Sequence, residues 1–273
     1  MFVSSNIGLL NSFNKITKNK TAKNELVEKL SSGKRINRAA DDSAGLSISE
    51  SLKAQVRGLS MAGKNIQDGV SMIQVADGAL EDITKSLHRM KELSVQSSNG
   101  TLTDSDRDKL EEEFNKLKEN IDYIAGETEF NTIKLLDKDK TITIQVKDNP
   151  YVNYKLDFCS NTTKSLKLNT VKIDSFNNAN NAISKIDDAL NKTISNRAVL
   201  GAHLNNLQSS FKDASNVEGN LTCSLSQIQD VKMAMAVMKS VKENILINSN
   251  KSMLSVAKQN NENVNIVLNK WFL

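Results

Sequence analysis

The feature of this sequence that most constrains its fold is a seven-residue repeat of aliphatic side chains between residues 52 and 90. One set of positions recurs every seven residues: Leu52, Leu59, Ile66, Ile73, Leu80 and Leu87. A second set follows three or four residues behind the first: Val56, Ala62, Val70, Ala76, Ile83 and Met90. Because this 3-4 spacing places all twelve side chains along one narrow stripe, it predicts a single helix of about 40 residues with a coiled-coil seam.

A second repeat of the same kind lies in the C-terminal half. Its seven-residue steps join Ile186, Thr193, Leu200, Leu207, Ala214, Leu221, Ile228 and Met235. The complementary seam positions hold Ile183, Leu190, Leu204, Phe211 and Leu225. The two repeats together predict a rod of packed helices. Its seam is expected at Leu52, Leu59, Ile66, Ile73, Leu80, Leu87, Leu200, Leu207, Leu221 and Ile228.

Between the repeats, a turn and a third helix are indicated. Asn99-Gly100 is expected to end the first helix, and the residues 103–106 (Thr-Asp-Ser-Asp) resemble the capping start of the next. The 4-3 spacing then continues in apolar residues that predict an antiparallel helix. These residues are Leu110, Phe114, Leu117, Ile121 and Ile124.

From Thr132 to about Asp157 the periodicity changes to two. Ile142, Ile144 and Val146 alternate with polar residues, which predicts a small β-hairpin region, and the single proline of the chain, Pro150, falls in a turn there. Val171 and Ile173 suggest a further short strand.

Both ends of the chain are predicted to be helical with weaker seams. Leu9, Phe13, Ile16, Val27 and Leu30 keep a 4-3 spacing that Lys20 and Lys23 interrupt. The last forty residues carry Ile245, Leu246, Leu254, Val264 and Val267. The predicted fold is therefore mainly α, with long antiparallel helices in a coiled-coil rod, a small β-hairpin region, and terminal helices that gain most by packing against other subunits.

Composition excludes several classes of protein. A net charge of +4, with basic and acidic residues interspersed, does not favour nucleic acid. No segment approaches the 18 or so apolar residues that insert into a membrane, and the N-terminus lacks the features of a cleaved signal peptide. Cys159 and Cys223 lie in unrelated contexts, so we expect two buried or adventitious thiols and no disulfide framework.

The residues that could carry chemistry are isolated. Residues 58–65 are close to a phosphate-binding loop, but Asn65 replaces the hydroxyl residue and the segment lies inside the first heptad repeat. His88 and His203 stand alone on predicted helices, where solvated side chains are the default, and residues 111–113 (Glu-Glu-Glu) favour a solvated helix face. We therefore predict no catalytic, metal or cofactor site and no enzyme.

Several ordered blocks of this sequence resemble the bacterial flagellins. They are Leu30-Ser-Ser-Gly-Lys-Arg-Ile-Asn37, Ala40-Asp-Asp-Ser-Ala-Gly-Leu46, Asp68-Gly-Val-Ser71, Asp77-Gly-Ala-Leu80, Met90-Lys-Glu-Leu-Ser-Val-Gln96, Ile124-Ala-Gly-Glu-Thr-Glu-Phe-Asn131, Ile142-Thr-Ile-Gln-Val146 and Ser195-Asn-Arg-Ala-Val-Leu-Gly201. Since only residues 132–175 are predicted to be non-helical, the chain resembles a minimal flagellin that lacks the large variable outer domains.

The resemblance implies a structural subunit of the flagellar filament, secreted through the flagellum's own type III channel. Residues 1–45 and 230–273 would form the inner core of the filament, 46–131 and 176–229 the helical rod, and 132–175 the β-hairpin region and linker. The implied partners are other flagellin subunits in a helical homopolymer, a flagellar export chaperone, and the hook-associated and cap proteins. We expect the terminal segments to be mobile in the monomer and to order on assembly.

The resemblance also implies a contact with the host Toll-like receptor for flagellin. The matching residues are Arg89 and Leu93, which are four apart on one predicted helix, and Glu113 on the next. Without the resemblance, Arg89 and Glu113 would be taken for ordinary exposed helix charges.

The C-terminal region departs from the family pattern. The usual pair of acids is replaced by Asp230-Val-Lys232, and Asn261 stands where a proline is usual. Two related functions therefore stay open beside the filament subunit: a hook–filament junction protein and a minor flagellin variant. An intracellular coiled-coil adaptor would explain the heptads but not the block from Leu30 to Leu46.

Overall fold

The computed structural model describes residues 7–150 and 152–271. Within these residues the protein has five helices: α1 (Ile7–Ser32), α2 (Ser43–Ser97), α3 (Asp104–Glu127), α4 (Phe176–Gln229) and α5 (Met233–Trp271). It also has four short strands: β1 (Glu129–Phe130), β2 (Ile133–Lys134), β3 (Lys140–Gln145) and β4 (Asn153–Phe158). β1 pairs with β2, and β3 with β4, both antiparallel. The mainly α fold with a small β-hairpin region is confirmed.

The chain forms two compact units. The first unit contains the described residues up to Ala54 together with those from Leu221 onward, and the second contains Gln55–Asn220. Each unit has its own internal packing.

The core of the second unit lies between α2, α3 and α4. The predicted seam residues from Leu59 to Leu87 and at Leu200 and Leu207 are at most 5% exposed. Asp77 pairs with Arg197, and Lys91 pairs with Asp187, so α2 and α4 run antiparallel. The heptad repeat therefore predicted the face that each helix buries, but not the length of α2, which has 55 residues where about 40 were expected.

The repeat fails at two positions of the C-terminal half. Phe211 is 42% exposed and Met235 is 48% exposed, although both were expected in the seam. Met235 fails because α4 ends at Gln229 and Met235 belongs to α5, so the seven-residue count does not continue across the break. Leu221 and Ile228, near the end of α4, are partly buried, as is Leu52.

The predicted turn between α2 and α3 is confirmed. α2 ends at Ser97, and the side chain of Thr103 accepts a hydrogen bond from the amide of Asp106 at the start of α3. The guanidinium of Arg107, which is 8% exposed, donates to the carbonyls of Ser97 and Asn99. Arg107 therefore satisfies the carbonyl of Ser97 at the end of α2 and adds a second donor to the carbonyl of Asn99, which also accepts from the amide of Leu102.

The non-helical region agrees with the sequence in part. The β3–β4 hairpin lies where the alternating residues predicted it, and Pro150 is in its turn. The β1–β2 hairpin was not predicted, because two-residue strands leave no periodicity to detect. The strand predicted at Val171 and Ile173 is wrong: both side chains are buried, but the segment is irregular. The backbone of Ile173 bonds to the side chains of Ser97 and Glu111, which removes it from any strand ladder.

The β3–β4 hairpin packs against α2 at a glycine. A Cβ atom on Gly69 would lie 2.3 Å from the terminal methyl carbon of Ile144 on β3 and 3.3 Å from a methyl carbon of Leu207 on α4. Gly69 is buried, so the absence of a side chain there lets the hairpin and α4 approach the backbone of α2.

We expect Gly69→Leu to destabilise the protein by about 1–3 kcal/mol, because the new side chain overpacks the contact with Ile144 and Leu207. The matched control is Gly78→Leu on the same helix, since Gly78 is exposed and a Cβ there would meet nothing within 4 Å. That control should stabilise α2 by up to about 1 kcal/mol through helix propensity. Urea denaturation of both variants measures the difference, and equal effects would show that the hairpin does not need Gly69.

Candidate functional site

α1 and α5 pack on each other along their length in the first unit. The backbone next to the end of α1 meets the backbone next to the start of α5, where the amide of Val231 donates to the carbonyl of Gly33 at 3.0 Å. Because the end of one helix lies beside the start of the other, the pair is antiparallel. At this end of the pair, residues 33–35 form hydrogen bonds with residues 228–231, and this contact is called the crossing below.

The seam between α1 and α5 is unusually polar for a coiled coil. On α1 the partly buried positions follow a 4-3 spacing through Ser12, Ile16, Asn19, Lys23, Leu26 and Leu30. On α5 the same spacing runs through Ala236, Ser240, Glu243, Ile247, Asn250 and Leu254. Half of these positions carry polar side chains, so the pair buries little apolar surface by itself.

Most of the large apolar side chains of these two helices face outward instead. The "outward face" comprises Leu10, Phe13 and Val27 of α1 and Met235, Met238, Val241, Ile245, Met253, Val256 and Ile266 of α5, all at least 46% exposed. The sequence placed Phe13 and Val27 in the α1 seam, and this is wrong because Ser12 and Leu26 occupy the contact with α5. The side chains of Leu9, Val264 and Val267 lie outside the described residues.

A large number of exposed apolar side chains on one pair of helices is typical of an interaction surface. No other described part of the chain packs over these side chains. They recur along both α1 and α5. A long, repeated apolar face suits packing against other helices far better than binding a small molecule.

The crossing next to this surface is held by Arg35. Gly33 adopts a φ of +70°, and its neighbour Lys34 forms an isolated antiparallel bridge with Asp230. The amide of Arg35 then donates to the carbonyl of Gln229 at 2.6 Å, and its guanidinium donates to the carbonyl of Ile228 at 2.9 and 3.1 Å. The sequence pattern gave no indication of this role for Arg35. A cation at the C-terminal end of a helix stabilises the last carbonyls and the helix dipole.

The residues after Arg35 form a compact turn before α2. The carboxylate of Asp41 accepts hydrogen bonds from the amides of Asn37 and Arg38 and pairs with Lys29. These two backbone bonds, and then Lys29, hold the pKa of Asp41 below its usual value. The turn lies within the sequence blocks from Leu30 to Leu46 that carry the family resemblance, so those blocks encode the entry to α2.

Arg89, the first of the predicted receptor residues, is exposed on α2. Its guanidinium bonds to Glu92 at 3.0 Å and to Glu113 of α3 at 2.9 Å, and these carboxylates raise the pKa of Arg89. The structure therefore brings Arg89 and Glu113 together. Leu93 is fully buried in the core of the second unit, so it does not share their exposed surface.

The isolated polar residues differ from expectation at two places. His203 is not a solvated histidine: it is half-buried, and its Nδ1 atom lies 2.8 Å from the hydroxyl of Tyr154. Glu111 is not simply solvated either, because its carboxylate accepts a hydrogen bond from the amide of Ile173. Cys159 and Cys223 are free and exposed, which agrees with adventitious thiols and excludes buried ones.

The segment that resembles a phosphate-binding loop is helical throughout. Residues 58–65 lie in the middle of α2, where the backbone amides bond within the helix and cannot surround a phosphate. In the described residues no three His, Cys, Asp or Glu side chains group as metal ligands would. None of the described helices is both long and apolar enough to cross a membrane.

Comparison with protein families gives two matches that together span most of the chain. Residues 3–141 match the bacterial flagellin N-terminal helical region, and residues 183–268 match the bacterial flagellin C-terminal helical region. The chain belongs to the flagellin family. Because only residues 142–182 separate the two matches, it is a minimal flagellin without the large variable domains.

Full-length relatives and solved structures agree with this assignment. The chain is 40% identical to a flagellin of Halalkalibacterium halodurans over 95% of its own length and 96% of that protein. It is 36% identical to a flagellin of Bacillus subtilis, with 97% and 98% of the two chains covered. The crystal structure of Bacillus cereus flagellin matches 55% of this chain and 88% of that one, with a TM-score of 0.51 and 34% identity.

A fourth match shares the fold alone. The structure of a putative flagellar hook-associated protein from Vibrio parahaemolyticus covers 70% of this chain with a TM-score of 0.59. Its sequence is only 13% identical.

Proposed function

We propose that this flagellin is a structural subunit that polymerises into the bacterial flagellar filament for motility, and that the outward face of α1 and α5 is the surface that drives assembly. The observation that carries the proposal is the contrast between the two faces of this helix pair. The mutual seam is half polar, whereas large apolar residues such as Met238 and Ile245 are more than 60% exposed.

The physical argument rests on where each face finds a partner. An isolated pair of helices joined through a polar seam is marginally stable in water. Copies that bury one another's outward faces remove that apolar surface from water at roughly 25 cal/mol per Å². Where one part of the outward face of a subunit contacts a different part of that face on the next subunit, the contact is heterologous, and it propagates as a helical polymer when its rotation does not close a ring.

This assembly assigns a role to each part of the chain. Residues 1–45 and 230–273 form the inner core of the filament, and 46–131 and 176–229 form the helical rod domain. Residues 132–175 supply the β-hairpin region and the linker. The β3–β4 hairpin packs on the rod, and one such contact places Ile144 of β3 against the backbone of α2 at Gly69.

Seeded growth tests the proposal. Purified full-length monomer is mixed with sonicated fragments of native flagellar filaments, a parallel reaction contains the monomer alone, and the products are measured by electron microscopy. Filaments that lengthen with added monomer support the subunit role. A hook–filament junction protein would leave the fragments at their original length, and a minor variant would grow only on fragments of a major flagellin.

The remaining partners and the location follow from the same role. The filament is extracellular, and we propose that the chain reaches it through the flagellum's own type III channel. A flagellar export chaperone, the hook-associated proteins and the cap protein are the partners that this route requires. The role is structural and needs no cofactor or catalytic residue.

We further propose that Arg89 and Glu113 form an exposed contact for the host Toll-like receptor for flagellin. Their ion pair, with Glu92 beside it, presents a fixed arrangement of charge on the surface of α2 and α3. Leu93 supports this arrangement from the core, since its burial fixes the turn of α2 that carries Arg89.

In a receptor reporter assay, we expect Arg89→Ala combined with Glu113→Ala to raise the half-maximal concentration of monomer by about tenfold or more, as the loss of a charged interface centre does. The matched control is Lys134→Ala with Glu129→Ala, which removes an exposed ion pair of 3.2 Å from the β1–β2 hairpin. Equal activity of both double variants would refute the receptor contact.

A further inference from the structure

The turn between α2 and α3 contains the only Asn-Gly pair of the sequence, Asn99-Gly100. We propose that this turn is a self-modification site: Asn99 deamidates spontaneously, and Arg107 directs the product towards a β-aspartyl linkage. The proposal concerns a covalent change in the folded chain and does not depend on filament assembly.

The reaction has two steps. In the first, the amide nitrogen of Gly100 attacks the side-chain carbonyl carbon of Asn99, loses its proton, and expels ammonia, which closes a five-membered succinimide ring. In the second, water adds to one of the two ring carbonyls and opens the ring. Opening at the main-chain carbonyl of Asn99 leaves a free α-carboxylate and carries the chain through the side chain, which is the β-aspartyl product.

The geometry favours the first step. The amide of Gly100 donates no hydrogen bond within the described residues, so its nitrogen is available to attack. The amide of Thr101 donates to Oδ1 of Asn99 at 3.1 Å. That bond holds the side chain over the following peptide and stabilises the negative charge that develops on Oδ1.

The surroundings leave room for the ring. Asn99 and Gly100 are exposed, and a Cβ atom built on Gly100 would meet nothing within 4 Å. Since glycine has no side chain to hinder the attack, this pair carries the least steric resistance of any asparagine in the chain.

Arg107 acts on the second step. Its Nη2 donates to the main-chain carbonyl of Asn99 at 3.1 Å, and the amide of Leu102 donates to the same oxygen at 3.3 Å. When water adds to this carbonyl, the oxygen becomes an oxyanion and then part of a carboxylate. The two donors stabilise both species, and a charge-assisted bond to a guanidinium strengthens the preference.

Two other asparagines provide internal comparisons. Asn178-Ala179 and Asn181-Ala182 are also followed by a small residue, but they lie inside α4. There the amide of the following alanine is bonded within the helix, as the bond from Ala179 to the carbonyl of Ser175 shows, and cannot rotate to attack. The same chain therefore contains a reactive turn and two protected pairs.

The product changes the end of the rod that this turn forms. It adds a negative charge beside Arg107 and lengthens the main chain of the turn by one methylene group. Arg107 also bonds to the carbonyl of Ser97 and to the carboxylate of Asp104. We expect these two bonds to remain in the altered turn while its backbone shifts. The modified fraction therefore records the age of a subunit after folding.

The test incubates the purified full-length chain at mildly alkaline pH and analyses its peptides by mass spectrometry, with isoaspartyl methyltransferase labelling to quantify the β-aspartyl form. We expect conversion at Asn99 to be at least about tenfold faster than at Asn178 and Asn181, and no slower than in the same chain unfolded in urea. Slower conversion of Asn99 in the folded chain than in the unfolded chain would overturn the proposal. The Gly100→Ala variant, which keeps Arg107, should suppress the conversion of Asn99.

The role of Arg107 is tested by the product ratio. In Arg107→Lys, which keeps the charge but loses the bonds in their fixed geometry, the ratio of β-aspartyl to aspartyl product should fall by about fivefold, the factor that corresponds to one hydrogen bond. Thermal unfolding by circular dichroism checks that the variant is folded. The same product ratio is also measured for the native chain, once folded and once unfolded in urea. Equal ratios in the two states would contradict the directing role of Arg107.

Discussion

Replacing Met238 and Ile245 together by glutamate is expected to reduce the rate of seeded filament elongation by at least about hundredfold. Both side chains belong to the outward face and are 64% and 62% exposed in the single chain. The two substitutions should therefore change the free energy of unfolding of the monomer little. In the filament, each new carboxylate would be buried among apolar neighbours without a partner, which costs several kcal/mol.

The matched control introduces the same two carboxylates by Thr143→Glu and Val152→Glu on the β3–β4 hairpin, where both native residues are exposed. Electron microscopy of seeded reactions gives the elongation rate, and circular dichroism shows that both double variants keep their helix content. Filaments of normal length from the outward-face variant would rule out this face as the assembly surface.

The second large effect is expected inside the rod. Phe114 is fully buried between α3 and its neighbours, and the ammonium of Lys118 lies 4.9 Å from the centre of its ring. Phe114→Ala should lower the free energy of unfolding by about 3–5 kcal/mol, because it removes the transfer energy of the ring and leaves a cavity. Urea denaturation of the monomer measures this loss directly.

Tyr123→Ala on the same helix is the control for that variant. Tyr123 is 69% exposed, so its removal should change the free energy of unfolding by no more than about 0.5 kcal/mol. A small effect at Phe114 as well would mean that α3 is not packed into the core as described.

The helical rod could be predicted from the sequence because its seam is buried in a single chain. Ile73, Leu80 and Leu87 recur at a period that only a long helix explains, and all three are at most 1% exposed. The capping residue Thr103 was equally clear, since its local hydrogen bond depends on neighbours in sequence alone.

The contacts that could not be predicted are those in which an apolar residue has a choice of face. In α1, both Ile16 and Phe13 fit a 4-3 spacing, but only Ile16 packs on α5. Periodicity locates an apolar stripe without saying whether the same chain or another covers it. The strand expected at Val171 failed for a related reason, because apolar residues are buried there without strand pairing.

The candidate sites show the same division. The family resemblance located Arg89 and Glu113, which the structure joins by an ion pair, but it could not show that Leu93 is buried. Arg35 and Arg107 were missed because each one binds backbone carbonyls across a turn or from a distant helix. No residue-type pattern marks such bonds in the sequence.

Hydrogen exchange of the same chain, as dilute monomer and as filament, tests the central claim most directly. If the outward face is covered only on assembly, most amides of 1–45 and 230–273 should exchange rapidly in the monomer and become protected in the filament, while the buried part of α2 around Leu80 is protected in both. Strong protection of the terminal segments in dilute monomer would contradict the account, because those helices would then be stable without other subunits.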